Sequence, residues 1–573
     1  MTETSKNKVS RRNFMGYVAT GAAAAAIFGA AGYLAGQSSA PSTGPQTVTK
    51  SVTNVSTRTV TSTQPVTSTI TTTTTAGAGG PAKRVVIAWN NEIIGLDPHT
   101  GQGSDVMDSP REAIFEHLIN PIKPIGYGPG MLIKYAYENE QKTLLDCEVR
   151  KGVRFHNGDE LTAEDIKFSI ERMASPGMFV PFVWANVTQF DILDKYRLKL
   201  HFDHYDPGFI PWMGFLEAYV TPKNYFEQVG EEEFLKNLVG CGPFKFKSFN
   251  AGVLELDAFN DYWQGAPAIS SVVFKPVLDA ASRASEVEAG TSDFTLQVDI
   301  SDFQRLKDNP NLTGMSPLIA DVAFLYVAPY FEPFKDEGVR LACHYAIDKH
   351  SLVNDVMLGM GQPLSTTAAP GYEHYDPTFN FPYDPEKAKS LLAEAGYSSS
   401  NPLKITLQTT KGWVTKDFEI MQAIADMLKT VGMDVELETL AGPYQLFDNR
   451  DHGKLGALSF YVWSNSTGTS WSSVGYEMSS NSPFSAWGGM KFAELEDYTG
   501  LMAENDSLVD PVFFEPNDNK RLEIGKAAEK WVVERGLIIP LYQQSQTIVM
   551  NKNLNYEPWT QGGIKPYSMS WTS

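Results

Sequence analysis

Apolar and polar residues alternate at the start of the most legible stretch of the chain. Leu145, Cys147 and Val149 are set against Asp146, Glu148 and Arg150, which predicts a strand with one buried face. Asn157-Gly158 follows as a turn through positive φ. Thr162 then precedes Ala163, Ile166, Ile170 and Met173, a stripe at helical spacing. Its hydroxyl is placed to cap that helix, and Glu164 and Asp165 suit the positive first turn. The pattern recurs downstream. Asp384-Pro385 predicts an N-cap with proline at the first helical position, and Gly396 predicts the end of that helix. Leu403, Ile405 and Leu407 alternate as a strand. A helix over 417–430 and a second strand, VELETL, come next. Strands interleave with helices and no internal repeat is visible, so the body is α/β.

The first 82 residues carry neither period. Met15 to Gly36 is a run of 22 residues without a charge. As a helix it would span about 33 Å at ~1.5 Å per residue, enough for a bilayer core. Residues 1–14 form a basic n-region, and Ser10-Arg11-Arg12-Asn13-Phe14-Met15 at its junction with the run resembles a twin-arginine export signal through Arg11 and Arg12. The basic residues ahead of the run favour a cytoplasmic N-terminus. Residues 15–36 are therefore a cleaved signal or a retained membrane tether. Ser38-Ser39-Ala40 would suit a peptidase, but Pro41 disfavours the cut, and both readings stay open. No Cys follows to carry a lipid. Residues 37–82 are rich in Ser, Thr and Val, with TSTITTTTT at 67–75 and AGAGG at 76–80. Such a segment cannot bury a core and predicts a disordered stalk.

Length and charge narrow the body further. At 573 residues the chain should form two or three domains. Residues 1–82 hold six basic side chains and one acid, which leaves 41 basic and 66 acidic side chains, a net −25, in 83–573. A body this acidic repels phosphate backbones, so nucleic acid is excluded as a partner. Cys147, Cys241 and Cys343 are sparse and far apart. They give no zinc spacing and read as small buried hydrophobes, with a Cys147–Cys241 bridge left open.

Catalytic and metal chemistry is thin. His156 lies near Asp159, Glu160, Glu164 and Asp165, the raw material of a metal site or an acid/base pair. There is no second histidine at ligand spacing, and the acids have turn and cap duties, so the stretch reads as scaffold. His344 and His350 flank Asp348 without forming a ligand set. No G-x-S-x-G, H-E-x-x-H or Walker A motif is present, and no cofactor or metal is called for. A hydrolase assembled from residues distant in sequence is the alternative from another class.

One resemblance covers about residues 83–560. RKGVRFHNGDELTAEDIKFSIERM at 150–173 resembles the signature of the family 5 extracellular solute-binding proteins, the peptide and nickel class of ABC importers. Leu96-Asp97-Pro98 resembles the family's early LDP. PKNYFEQVGEEEFLKNLVGCGPFKFKSFNAG at 222–252 resembles its "NPVGTGPYKF" region, with Cys241 for the usual Thr. The block at 254–294, FEPFKDEGVRLACHYAIDKHSLV at 331–353 and YDPEKAKSLLAEAGY at 383–397 follow in the family's order.

The resemblance implies a two-lobed periplasmic-binding-protein-like fold with an extra inserted domain. Lobe I would take 83–130 and 240–324, the lobe II insertion 131–239, and lobe III 325–535, with 536–573 returning to lobe I. Ligand would lie in the cleft between lobes I and III, in a monomer that hands it to membrane permease subunits. His344, His350 and Asp348 would lie at a surface helix start. In peptide-binding members a "GWxADYPDP"-like segment supplies an Asp to the ligand's terminal amine. Here SFYVWSNSTGTSWSS at 459–473 keeps Trp463 but holds Asn465 or Ser466 at the Asp position. A neutral group there favours hydroxyls or amides over an ammonium. Trp463 and Trp471 could stack on a sugar ring or an apolar side chain. Oligopeptide is the first reading and oligosaccharide the rival; nickel lacks a His or carboxylate cluster. Asn90, Asn91 and Glu92 are the candidate lobe I contacts, and Tyr542 is placed near the hinge by the resemblance.

Overall fold

The computed structural model describes residues 83–572 apart from 101–104, 123–125, 216, 466, 483 and 488–498. Residues 1–82, on which the expected export signal with Arg11 and Arg12, the apolar run 15–36 and the expected stalk 37–82 fall, and Ser466 lie outside the described residues. Among the described residues no helix is long and apolar enough to cross a membrane.

Three sheets organise the chain. The first has seven strands, in the order Leu312–Met315, Ile548–Asn551, Phe294–Leu296, Arg84–Trp89, Ser271–Pro276, Val253–Ala258 and Phe244–Asn250. At its centre Arg84–Trp89 runs parallel to both neighbours, and its residues from Val85 to Trp89 are buried, as a strand covered on both faces must be. A second sheet has six strands, in the order Gly361–Pro363, Ile538–Ser545, Leu318–Val327, Leu458–Ser464, Lys404–Thr409 and Asp434–Thr439. The third, Leu132–Tyr137, Leu144–Val149, Arg197–Phe202 and Val187–Asp194, is antiparallel throughout and belongs to the insertion.

Local chemistry explains most of these elements. Leu145, Cys147 and Val149 are fully buried on an inner strand of the third sheet. Asp146, on the opposite face, is also covered, because Lys134 and Arg197 close over it at 2.8 and 3.2 Å. Gly158 has φ 95°, as the Asn-Gly turn requires. The helix Ala163–Met173 forms with Thr162 at its N-cap, as expected, and the cap is a reciprocal box with Asp165. Asp165 accepts from both the backbone N and the hydroxyl of Thr162, each at 2.8 Å, so the carboxylate three residues in holds the cap together. Asp384 caps Pro385–Glu394 by accepting from the Lys387 N–H at 2.8 Å. All three cysteines are buried free thiols, so no Cys147–Cys241 bridge exists.

The lobe limits differ from the expected ones at two places. Leu318–Val327 lies inside the second sheet, so lobe III is entered at 318 and not at 325. Ile538–Ser545 pairs with that same strand, and the chain returns to the first sheet only at Ile548. An apolar strand such as LIADVAFLYV, buried on both faces, needs a partner on each edge, and Ile538–Ser545 supplies one of them. The two crossings between lobes, at 316–317 and 546–547, lie side by side. The Gln546 N–H donates to the Pro317 carbonyl at 2.9 Å.

Candidate functional site

The sequence block richest in titratable groups proves to be scaffold. His156 Nε2 donates to the Gly242 carbonyl at 3.0 Å, and the Gly240 N–H donates to Nδ1 at 3.3 Å. Burial lowers its pKa to about 4, so the ring is neutral and clamps the Gly240–Cys241–Gly242 segment. Glu160 accepts from Lys195 and Tyr196, each at 2.7 Å. Asp97 of the LDP block forms a two-pronged pair with Arg172 at 2.8 and 2.6 Å, and Arg172 also reaches Glu231 at 2.8 Å. Burial pushes the Asp97 carboxyl up, but the Arg172 guanidinium prevails and holds it below its ordinary value. These groups tie lobe I to the insertion. Elsewhere His344 is buried and not on the surface: it stacks on Phe381 and meets Lys349 Nζ at 3.1 Å. Asp348 is occupied by the N–H groups of His350 and Ser351. Among the described residues no group of three or more His, Cys, Asp and Glu could hold a metal.

Strand direction points to a better place. In lobe I, Arg84–Trp89, Ser271–Pro276 and Phe294–Leu296 run parallel, so the loops at 90, 277 and 297 leave the same end of the sheet. In lobe III, Lys404–Thr409, Asp434–Thr439 and Leu458–Ser464 are likewise parallel, and their loops leave together at 410, 440 and 465. The two ends face each other, because Lys416 Nζ of lobe III lies 3.2 Å from Asp299 Oδ2 of lobe I. Carboxyl ends of parallel strands are where open α/β sheets take ligands. The 410–417 loop is held by Asp417, whose carboxylate accepts from the Gly412 and Trp413 N–H groups and the Thr410 hydroxyl. Ile94 and Leu278 stand exposed on the lobe I side and Tyr444 on the lobe III side.

The candidate residues fall differently around this cleft. Asn90 Nδ2 donates to Gln297 Oε1 at 2.6 Å, and its own Oδ1 is buried without a partner. Asn91 is half-buried and Glu92 exposed on the same loop. Trp463 is half-buried, 6.4 Å edge-on from Phe484, with its Nε1 buried and unpaired. Asn465 is 1% exposed and saturated internally. Its Nδ2 donates to the Thr469 carbonyl at 3.2 Å and Ser473 Oγ at 2.9 Å, and its Oδ1 accepts from Thr467 at 2.9 Å. Trp471 is 2% exposed, and what covers it is the insertion: Trp212 lies 5.8 Å away between ring centroids. Gly208 of the insertion is packed so close that a Cβ there would come within 2.9 Å of the Trp471 ring. Tyr542 is a core residue opposite Ala323, three positions before the Ser545 end of its strand. Burial, then the nearby Asp417 charge, raise its hydroxyl's pKa.

Two features escaped the sequence reading. Gln543, Gln544 and Ser545 are buried at the crossing between lobes, and Gln543 Oε1, Gln544 Nε2 and Ser545 Oγ have no hydrogen-bond partner. The switch from IIPLY to QQSQT was the visible signal, since three consecutive amide or hydroxyl side chains at a strand end seldom serve a core. The second is an open strand edge. Lys404–Thr409 pairs with Leu458–Ser464 only at Leu458 and Ser459. Beyond Ser459 no strand among the described residues covers that edge, although the opposite edge stays paired to Leu318–Val327 as far as Ser464.

Comparison with known proteins places this geometry. The profile of the bacterial extracellular solute-binding proteins, family 5, matches residues 127–484. The oligopeptide-binding protein AppA of Bacillus subtilis is 27% identical over 314 residues, 51% of this chain and 58% of that one. The glutathione-binding protein GsiB of Escherichia coli is 23% identical over 481 residues, 82% of this chain and 91% of that one. Among solved structures, NikA of Brucella suis in complex with Fe(III)-EDTA superposes with a TM-score of 0.75 at 18% identity, covering 85% of this chain and all of that one. AppA with a bound nonapeptide gives a TM-score of 0.69 at 20% identity, over 86% of this chain. At these identities the solved structures speak for the fold.

Proposed function

The chain belongs to the bacterial extracellular solute-binding proteins of family 5, the substrate-binding components of ABC importers, and from that premise we propose that its ligand is an oligopeptide. The observation that carries this reading is the edge of Leu458–Ser464 beyond Ser459, which no strand among the described residues pairs and which runs toward the loops leaving the parallel strands of lobe III. An extended peptide satisfies such an edge by adding a strand, with main-chain hydrogen bonds for affinity and side-chain pockets for selection. The buried amides of Gln543 and Gln544 at the crossing suit the same peptide groups. AppA and GsiB, whose names specify an oligopeptide and glutathione, support the class. Members of this family bind solutes and do not transform them.

The oligosaccharide reading keeps one supporting observation, the half-buried Trp463 with its unpaired Nε1. Trp471 supports it less, because its ring is packed against Trp212. Export completes the proposal. Arg11 and Arg12 direct the chain through the twin-arginine route, residues 15–36 cross or leave the membrane, and a monomeric body on the 37–82 stalk delivers ligand to permease subunits.

A thermal-shift screen of the exported protein against peptide pools and oligosaccharide pools tests the ligand class, since any ligand of the folded state raises its stability. Peptides should shift the transition. A shift with sugars and none with peptides would overturn the reading.

A further inference from the structure

The insertion is fastened to its two neighbours in different ways. To lobe I it is laced by main chain. The Leu118 N–H donates to the Ala218 carbonyl at 3.0 Å, the Ile119 N–H to the Met213 carbonyl at 3.1 Å and the Val220 N–H to the Glu116 carbonyl at 2.9 Å. The buried Asp97–Arg172 pair and the His156 bonds to Gly240 and Gly242 strengthen that seam. Among the described residues no main-chain hydrogen bond and no strand pairing joins the insertion to lobe III. That contact is made through side chains. Trp212 meets Trp471 at 5.8 Å and Tyr476 at 6.4 Å between ring centroids, and Lys142 Nζ donates to the Pro516 carbonyl at 2.6 Å.

Each half of the aromatic contact is also held from its own side. Within the insertion, Trp212 packs on Phe215 at 5.3 Å and on Phe179 at 6.3 Å. Within lobe III, Trp471 stands edge-on to Tyr476 at 5.0 Å. The two halves can therefore part without either lobe unfolding. Trp471 Nε1 is buried here without a hydrogen-bond partner, and parting gives it water, which offsets some of the apolar area exposed. Lobe III is linked covalently to the rest only by the adjacent crossings at 316–317 and 546–547. A rotation about that pair carries the insertion along with lobe I and draws 208–212 away from 471–476.

We propose that Gly208, Trp212, Trp471 and Tyr476 form a clasp that opens and closes with the cleft, the insertion travelling on lobe I. Closure accounts for the glycine. Gly208 has φ −79°, which any residue adopts, yet a Cβ there would lie 2.9 Å from two atoms of the Trp471 ring. The next atom it would crowd, Asp206 Oδ1 at 3.1 Å, belongs to its own loop. Gly208→Ala is thus a wedge between the insertion and lobe III on an unstrained backbone. The clasp goes beyond the peptide reading and serves any solute the cleft encloses.

The three native cysteines are buried, so spin labels attach to two introduced ones, Glu140→Cys on the insertion and Glu523→Cys on lobe III, both at exposed positions. Pulsed electron resonance then measures the distance between them in the exported protein without ligand. The wild type should show a short and a long population. Gly208→Ala should raise the long-to-short ratio about fivefold or more, the scale of a modest overpacking. A single population in the wild type would overturn the clasp, whatever the variant's folding. So would a Gly208→Ala ratio equal to that of the wild type. Neither outcome depends on which solute binds, so a failure of the peptide reading would show separately, in the thermal-shift screen.

Discussion

His156 should matter to stability and not to ligand affinity, and the structure sets the size of the effect. Its Nε2 bond to Gly242 at 3.0 Å is worth about 1 kcal/mol net, and the longer Gly240 bond at 3.3 Å less. The edge-on contact with Phe259 at 5.0 Å adds about 0.5–1 kcal/mol. His156→Ala should therefore cost about 2–3 kcal/mol, with part of it the penalty of leaving a buried carbonyl unpaired. The pH dependence gives a sharper check. The folded-state pKa is about 4 and the ordinary value 6.5. Between those values the unfolded chain binds the proton and the folded chain does not, so the wild type loses stability as pH falls from 6.5 toward 4. The loss is up to about 1.4 kcal/mol per pH unit in that window. The variant lacks this term, so the gap between the two proteins should shrink on acidification. Urea unfolding of both at pH 7.5 and pH 5 measures it, alongside ligand affinity at pH 7.5. A gap that widens at pH 5, or a loss of affinity in a variant of unchanged stability, would refute the scaffold reading of this histidine.

Breaking the Asp97–Arg172 pair should be severe. Arg172→Met leaves a buried carboxylate unpaired and should cost about 3–5 kcal/mol in urea unfolding. Because Asp97 titrates below its ordinary 3.8 in the folded chain, the pair's contribution is complete above that pH and declines as pH falls through the lower folded value. Asn465→Asp, which restores an acid to the Trp463–Trp471 segment, should weaken the loop by about 1–3 kcal/mol, since an acceptor would then face the Thr469 carbonyl; tighter peptide binding at unchanged stability would contradict the internal role of Asn465. Replacing Arg11 and Arg12 by Lys should trap the protein in the cytoplasm, as cell fractionation would show, and sequencing the mature N-terminus should reveal whether 15–36 is retained.

The fold was legible where local chemistry and long-range packing agree. Periodicity marked the strand Leu144–Val149, the helix Ala163–Met173 and the helix Asp417–Thr430, because each buries one face against its own lobe. Periodicity has no access to which sheet a strand joins. Ile538–Ser545 reads as an ordinary buried strand, and only its pairing with Leu318–Val327 places it in lobe III. Trp471 shows the same limit. Nothing near it in sequence reveals that Trp212 and Gly208 of the insertion cover its ring. The insertion reaches lobe III elsewhere too: Lys142 donates to the Pro516 carbonyl at 2.6 Å.

Why family membership was easier to see than the ligand has a physical reason. The blocks that carry the resemblance are mutually braced: Asp97 of LDP holds Arg172 of the signature helix, and His156 of the signature holds Gly240 and Gly242 of the glycine block. Each side chain in these contacts is specified by a partner inside the protein, so any chain with this architecture needs the same residues in the same order. Ligand contacts have their partner outside the protein. Their side chains are free to change with the solute, provided the strand edge beyond Ser459 remains unpaired within the protein.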